Sequence, residues 1–275
     1  MNKEVPNAID ILSKVLKTDV YLGEIADKHP EEMAFEERRQ LRARAIGKGA
    51  LMLSQKHTSE SGYADTEGQF YNLVSTLYPF LQARESIDTS RANGTYHRKE
   101  HLSDIEKTID FNTALREIID HNQKFSPYQL MQFINKTFII SYGKTDAQFV
   151  EQAAQECIIG MQNEVGFEQI VGLIEGLDYR TSTKEEEIAS GADMFIDFRG
   201  NRIPVDIKSR ESKAAELNAS NLSFGPLDSY KIWSHCHRAD FNDSFRVSHQ
   251  YAQARVSEVE SELITAIQLP YKRVA

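Results

Sequence analysis

A mixed α/β class, with helices concentrated in the first half, is what this 275-residue sequence predicts. Three observations carry that expectation. Apolar residues recur at helical spacing through residues 1–143. Around residues 193–208 they alternate one-by-one instead, as strands require. Across residues 146–240 the runs fall in the order helix, three strands, helix, strand. The expected organisation is a helical region over 1–143 and an α+β region over 144–275, with Gly143-Lys-Thr145 as the boundary.

Ala8 to Lys17 is short and amphipathic through Ile9, Ile11, Leu12, Val15 and Leu16. A long helix from about Pro30 to Lys56 follows, then Glu67 to Ala83 with Phe70, Leu73, Val74, Leu77 and Leu81 on one stripe. Ser103 to His121 and Ser126 to Ile140 complete the block. In the last of these Ser126 is the N-cap and Pro127 takes the first helical position, where a missing N–H costs nothing. The polar stretches Lys56–Gly68 and Asp88–Arg98, rich in Gly, Ser, Thr and Asn, are expected to be loops.

In the second half, Asp146 to about Glu175 is predicted helical, with a break near Gly166. Its stripe is Phe149, Val150, Ala153, Ala154, Cys157, Ile158 and Met161. Leu177–Thr183 is the first strand, with β-favouring Tyr179 and Thr181. Two strands joined at Arg199-Gly200-Asn201 follow, then a helix from Glu211 to about Asn218 and a strand over Ser229–Cys236. Pro204 lacks a ladder donor, so it belongs at a strand start or on an edge side.

The paired strands carry the chemistry. Alternation puts Met194, Ile196 and Phe198 on one face, and Asp193, Phe195 and Asp197 on the other. On the second strand Val205 and Ile207 face the core, while Asp206 and Lys208 point together the other way. A hairpin can therefore gather two carboxylates and an ammonium. Two carboxylates form a hard oxygen site of the kind that holds Mg²⁺, with water in the remaining positions. Such an ion activates water and stabilises charge on a phosphoryl oxygen, and a neighbouring lysine acts as a compact positive charge. These residue types fit phosphodiester hydrolysis.

Gly191-x-Asp193, an apolar strand, a turn and a strand ending Asp206-x-Lys208-Ser209 resemble the PD-(D/E)xK nuclease superfamily. The resemblance covers roughly residues 146–240 and does not reach the helical region. Ala192 stands where the superfamily's name has proline. The resemblance implies a restriction-endonuclease-like αβββαβ core, one or two Mg²⁺ (or Mn²⁺) ions, DNA as partner and a metal-dependent endonuclease activity. It implies that Asp193 and Asp206 bind metal and that Lys208 is the catalytic lysine. It further implies a metal-site Glu from the first helix, for which Glu164 is the first choice, ahead of Glu187, Glu156 and the neighbouring Glu185 and Glu186. Many restriction-type nucleases act as dimers, so a homodimer is expected on the same footing. The rival expectations are a catalytically inactive, nuclease-like binding module, and a structural or interaction protein of a phage or mobile element.

Other residues attract notice and fit plainer roles. Asp197 reads as a surface residue near the turn. Ser234-His-Cys-His237 resembles a metal cluster, but zinc needs about four ligands and the chain has two cysteines. On a strand, His235 and His237 would share a face and one could line the cleft. Trp233 and Tyr230 are expected in the core, and Tyr96-His-Arg-Lys-Glu-His101 in a solvated loop. No glycine run has phosphate-loop spacing.

A net charge of −9 disfavours nucleic-acid binding by the molecule as a whole, because phosphate binding rests on Lys and Arg. Local basic stretches exist at Glu37–Arg44, His97–Lys99, Lys208–Arg210 and Lys272–Arg273. The first is expected to be a solvated helix face with Glu–Arg pairs along it. No run approaches the ~20 apolar residues of a membrane span. Two cysteines and a start without a secretory pattern point to a reducing cytoplasm.

Overall fold

The computed structural model describes residues 5–26, 28, 30–61, 65–122, 124–143, 147–220, 229–241 and 243–268. Within them the chain is mixed α+β, with ten α-helices and a four-stranded sheet. It divides into two compact units, Met1–Cys157 and Ile158–Ala275. That division falls inside a helix rather than at Gly143, where the sequence suggested it; Lys144 and Thr145 lie outside the described residues. No described helix is long and apolar enough to cross a membrane.

The first unit contains α1 (Ala8–Val15), α2 (Asp19–Ala26), α3 (Phe35–Ser61), α4 (Thr66–Ala92), α5 (Leu102–His121) and α6 (Pro127–Tyr142). Its core is aromatic. Phe80 and Phe111 stack with centroids 4.2 Å apart, and Phe70 meets Phe133 edge-on at 4.6 Å. Ser126 and Gln129 form a capping box with Pro127 just inside the helix, as expected from the sequence. The predicted loops are shorter than expected. α3 continues to Ser61 and α4 to Ala92, because polar residues on a solvated helix face mimic loop composition while keeping good helix propensity. The segment Arg98–His101 is a 3-10 turn.

α7 (Ala147–Val171) leads into the second unit, followed by β1 (Leu177–Thr181), α8 (Lys184–Ser190), β2 (Met194–Phe198), β3 (Asn201–Lys208), α9 (Glu211–Ser220), β4 (Tyr230–Trp233) and α10 (His249–Gln268). The strands lie in chain order. β1, β2 and β3 form an antiparallel meander, and β4 returns parallel to β3 across α9. Alternation sets the core. Met194, Ile196, Phe198, Ile203, Val205, Ile207 and Ile232 pack with Phe167, Ile170 and Val171 of α7 and with Val259 and Leu263 of α10. Burying each such side chain contributes about 1.5–3 kcal/mol relative to leaving it exposed.

Three local expectations are corrected. α7 is unbroken at Gly166, where a Cβ would stand 2.9 Å from Cys236 Sγ and 3.0 Å from two Phe241 ring atoms. Glycine there admits its neighbours and does not break the helix. The strand expected over Ser229–Cys236 ends at Trp233, and His235 turns left-handed with φ +56°. At the β2–β3 turn the positive φ values belong to Arg199 (51°) and Gly200 (74°), the signature of a two-residue type I′ hairpin. Asn201 is already in β3, paired with Phe198. Pro204 pairs with Phe195, and β4 joins β3 only from Val205 onward, so among the described residues no strand lies on its other side.

Candidate functional site

Asp193 is fixed before any side chain is considered. Gly191 closes α8 in the left-handed conformation, φ +67°, and delivers the chain to the head of β2. The Asp193 N–H donates to Val205 O at 2.8 Å, and its carbonyl accepts from the Ser182 N–H at 3.0 Å. The residue is thus held between β1 and β3. Its Oδ2 accepts from the Ile207 N–H at 2.6 Å, so a carboxylate stands where the β2 ladder has run out.

Asp206 lies on the face of β3 opposite the core, with Lys208 two residues on. Both ammonium groups around it are ordered by strand pairing. Lys208 Nζ donates to Asp206 Oδ1. Lys231, which pairs with Asp206 in the parallel β3–β4 register, places its Nζ 2.9 Å from Oδ2. Lys231 Nζ also donates to Ser229 Oγ at 2.7 Å, and Ser229 Oγ lies 3.2 Å from Gly191 O, which it donates to. The side chains of Asp206 and Lys231 are only 15% and 14% exposed, so this pair is shielded more than a surface bridge.

The electrostatics tie Glu164 to the cluster. Burial of the Asp193 carboxyl, together with the charges of Asp206 and Glu164, pushes its pKa well above the usual carboxylate range; the Ile207 N–H and Lys208 pull the other way. Asp193 as a residue keeps some exposed surface, but its carboxyl group is withdrawn from water, and the carboxyl is what titrates. Asp193, Asp206, Lys208 and Glu164 therefore share one electrostatic neighbourhood. Two of the other candidate glutamates are bound elsewhere. Glu156 pairs with Arg84 of α4 in the first unit. Glu186 makes two 2.6 Å hydrogen bonds to Arg180 and closes a capping box with Thr183, which lowers its pKa to about 2. Glu187 lies on α8, where its backbone carbonyl accepts from the Gly191 N–H at 2.8 Å.

Among the described residues no three His, Cys, Asp or Glu side chains converge closely enough, as they stand, to hold one ion. Asp206 is turned to two lysines and Asp193 to a backbone N–H. The donor set nevertheless fits a hard divalent cation. Burial, and then the charges of Asp206 and Glu164, disfavour the ionised Asp193 carboxyl, and a cation held among these groups would relieve the repulsion.

The remaining candidates have local partners. Asp197 is bound twice by Arg202, at 2.9 Å each, on the surface. His235 is buried, with Nε2 2.7 Å from Glu262 and Nδ1 3.4 Å from Glu258, both on α10. It shares no strand face with His237, which is exposed. Cys236 is buried, and burial raises its thiol to about 12, too high for a ready metal ligand. Tyr230 is core as expected, whereas Trp233 is half-buried, paired with Lys208 in register. In the first unit Tyr96 stacks on His101 at 5.2 Å, Arg91 lies over Tyr96, and His101 meets Asp104 at 3.2 Å. On α3 Arg39 pairs with Glu36 at 3.0 Å, one Glu–Arg pair of the expected kind, while Arg44 donates to the Gln40 carbonyl. Lys272 and Arg273 lie outside the described residues.

Sequence reasoning missed Lys231, Ser229 and Asn218. The Asn218 amide donates to Lys231 O at 2.7 Å and accepts from Lys231 N at 3.0 Å, so α9 supplies β4 with a substitute edge partner. The alternation Tyr230-Lys-Ile-Trp signals that Lys231 leaves the core face, but not that it meets Asp206. Comparison with known protein families, with curated proteins and with solved structures finds no match.

Proposed function

We propose that the second unit is a metal-dependent nuclease of the PD-(D/E)xK type, hydrolysing DNA phosphodiester bonds endonucleolytically. The observation that carries this reading is the Asp206–Lys208 pair at the end of β3, beside an Asp193 carboxyl that feels the charges of Asp206 and Glu164, in a unit whose elements run helix, three strands, helix, strand. The extra helix α8 is inserted between the first two strands without disturbing their pairing.

Asp193, Asp206 and Glu164 would hold Mg²⁺ or Mn²⁺. When bound, such an ion supplies Lewis-acid stabilisation of phosphoryl charge and a more acidic water. Lys208 orients the attacking water and balances charge gathering on the phosphate. Lys231 holds Asp206 in place from the neighbouring strand, its Nζ 2.9 Å from Oδ2. A cation held there would offset the repulsion on Asp193 and favour its ionised form.

The test is incubation with supercoiled and linear DNA in Mg²⁺, Mn²⁺ or EDTA, beside Asp206→Ala. Cleavage in metal alone, lost in the variant while its folding is retained, is the expected result. Cleavage by the variant at the wild-type rate would sink the mechanism. One observation favours a second reading, a non-catalytic binding module: both Asp206 oxygens are taken up by lysines. It requires that neither cation raise the thermal midpoint.

A further inference from the structure

Beyond the cluster, β3 runs out into a cleft of about 380 Å³ lined by Lys208, Ser209, Arg210, Ser212, Lys213 and Glu216. We propose that this cleft binds the phosphodiester backbone of a polynucleotide beside the reacting phosphate, an inference that rests on the nuclease reading of the adjoining cluster. Its wall carries three cations and two hydroxyls against one carboxylate, in a chain whose net charge is −9. Local positive charge in an acidic protein confines a polyanion to that place. Arg210 is exposed and has no carboxylate partner among the described residues. Its planar guanidinium suits bidentate contact with phosphate oxygens. Lys213 meets Glu216 at 3.4 Å, but both are more than half exposed, so the tie is weak and the ammonium can turn to a phosphate. Ser209 and Ser212 add hydroxyl donors at the same wall.

Lys208 gives the cleft its direction. It lines the cleft and also donates to Asp206, so an anion there lies next to the carboxylate cluster. The volume falls in the range of ligand sites and exceeds what one inorganic phosphate fills, which favours successive phosphates and sugars of a strand.

The experiment measures binding without cleavage. Anisotropy of end-labelled single- and double-stranded DNA oligonucleotides is followed in EDTA from low to moderate salt, for wild type, Arg210→Ala/Lys213→Ala and Arg210→Glu/Lys213→Glu. Circular dichroism and the thermal midpoint check that both variants fold. Wild type is expected to bind with a steep salt dependence. Loss of two phosphate contacts should make the slope of log K against log salt shallower by about 1.4 for single strands and 1.8 for duplex. The charge-reversed variant should bind more weakly still. Quenching of Trp233, the chain's single tryptophan, which pairs in register with Lys208, should accompany binding. Unchanged affinity and slope in the folded alanine variant would overturn the proposal, as would displacement of the oligonucleotide by an equal concentration of inorganic phosphate. A changed slope without cleavage in any metal would leave the cleft standing and remove the nuclease reading; cleavage with an unchanged slope would do the reverse.

Discussion

Asn218→Ala tests whether one side chain finishes the sheet. Among the described residues β4 is an edge strand, and the outer N–H and C=O of Lys231 have no strand partner there. The Asn218 amide satisfies both, at 3.0 and 2.7 Å. Each bond contributes about 1 kcal/mol net, so deleting both costs about 2 kcal/mol. Alanine has the better helix propensity inside α9 and returns roughly 0.5 kcal/mol, leaving about 1.5 kcal/mol. With a urea slope of about 1–3 kcal/mol per molar, the midpoint should fall by roughly 0.5–1.5 M. Trp233 lies on β4 two residues from Lys231, and as the chain's single tryptophan its emission follows this unit's transition. Hydrogen exchange of the Lys231 amide should accelerate in the variant. An unchanged midpoint with unchanged exchange at Lys231 would refute the reasoning.

Two further outcomes follow from the cluster itself. Lys231→Met keeps a similar stem in place but removes one of the two ammonium groups on Asp206. DNA cleavage should fall by about 10–100-fold, as for groups that orient a metal-binding carboxylate, and a wild-type rate would remove Lys231 from the site. Asp193→Asn concerns pH. The folded Asp193 pKa is raised, so the folded state keeps a proton that the unfolded chain releases above about 3.9. Its contribution is full below that value and is lost as pH rises through the folded pKa. In EDTA, the D193N variant should therefore show thermal midpoints that fall less with rising pH than wild type, and should gain nothing from Mg²⁺. Parallel pH profiles for the two proteins would contradict the raised pKa.

How much of this was legible depended on how local each constraint is. The faces of β2 and β3 could be read because alternation is a property of neighbouring residues, and Met194, Ile196, Val205 and Ile207 all point inward as predicted. β1 was recognisable only by residue type, since just its first residue is half-buried and the rest are exposed. Gly166 invited a helix break because its reason lies 70 or more residues away, in Cys236 and Phe241. α10 carries a stripe of Ala252, Val259, Leu263 and Ala266, whose spacing is local and readable although no helix was expected there. Lys231 was hidden for a different reason. It reaches Asp206 only through parallel pairing across the α9 crossover, and no local periodicity encodes which residues of two parallel strands stand side by side. Glu164 could be named as a candidate from its place on a helix before an apolar run, but its relation to Asp193 is electrostatic and required the folded chain.

The position of Asp193 supports the catalytic reading over a purely structural one. An asparagine there could accept the same hydrogen bond from the Ile207 N–H without facing two other carboxylates, so local stability alone favours the amide. Asp206 is different, because Lys208 and Lys231 neutralise it and a structural ion pair would explain it unaided. What such a pair leaves unexplained is a second carboxyl, buried, on which the charge of Asp206 acts together with that of Glu164 from α7. A strongly shifted acid, set by burial and by like charges beside an open basic cleft, is the pattern that sites built to bind a cation or move a proton share. The strain sits on the one residue that a cation would relieve most, and the lysines sit where an approaching phosphate would need positive charge.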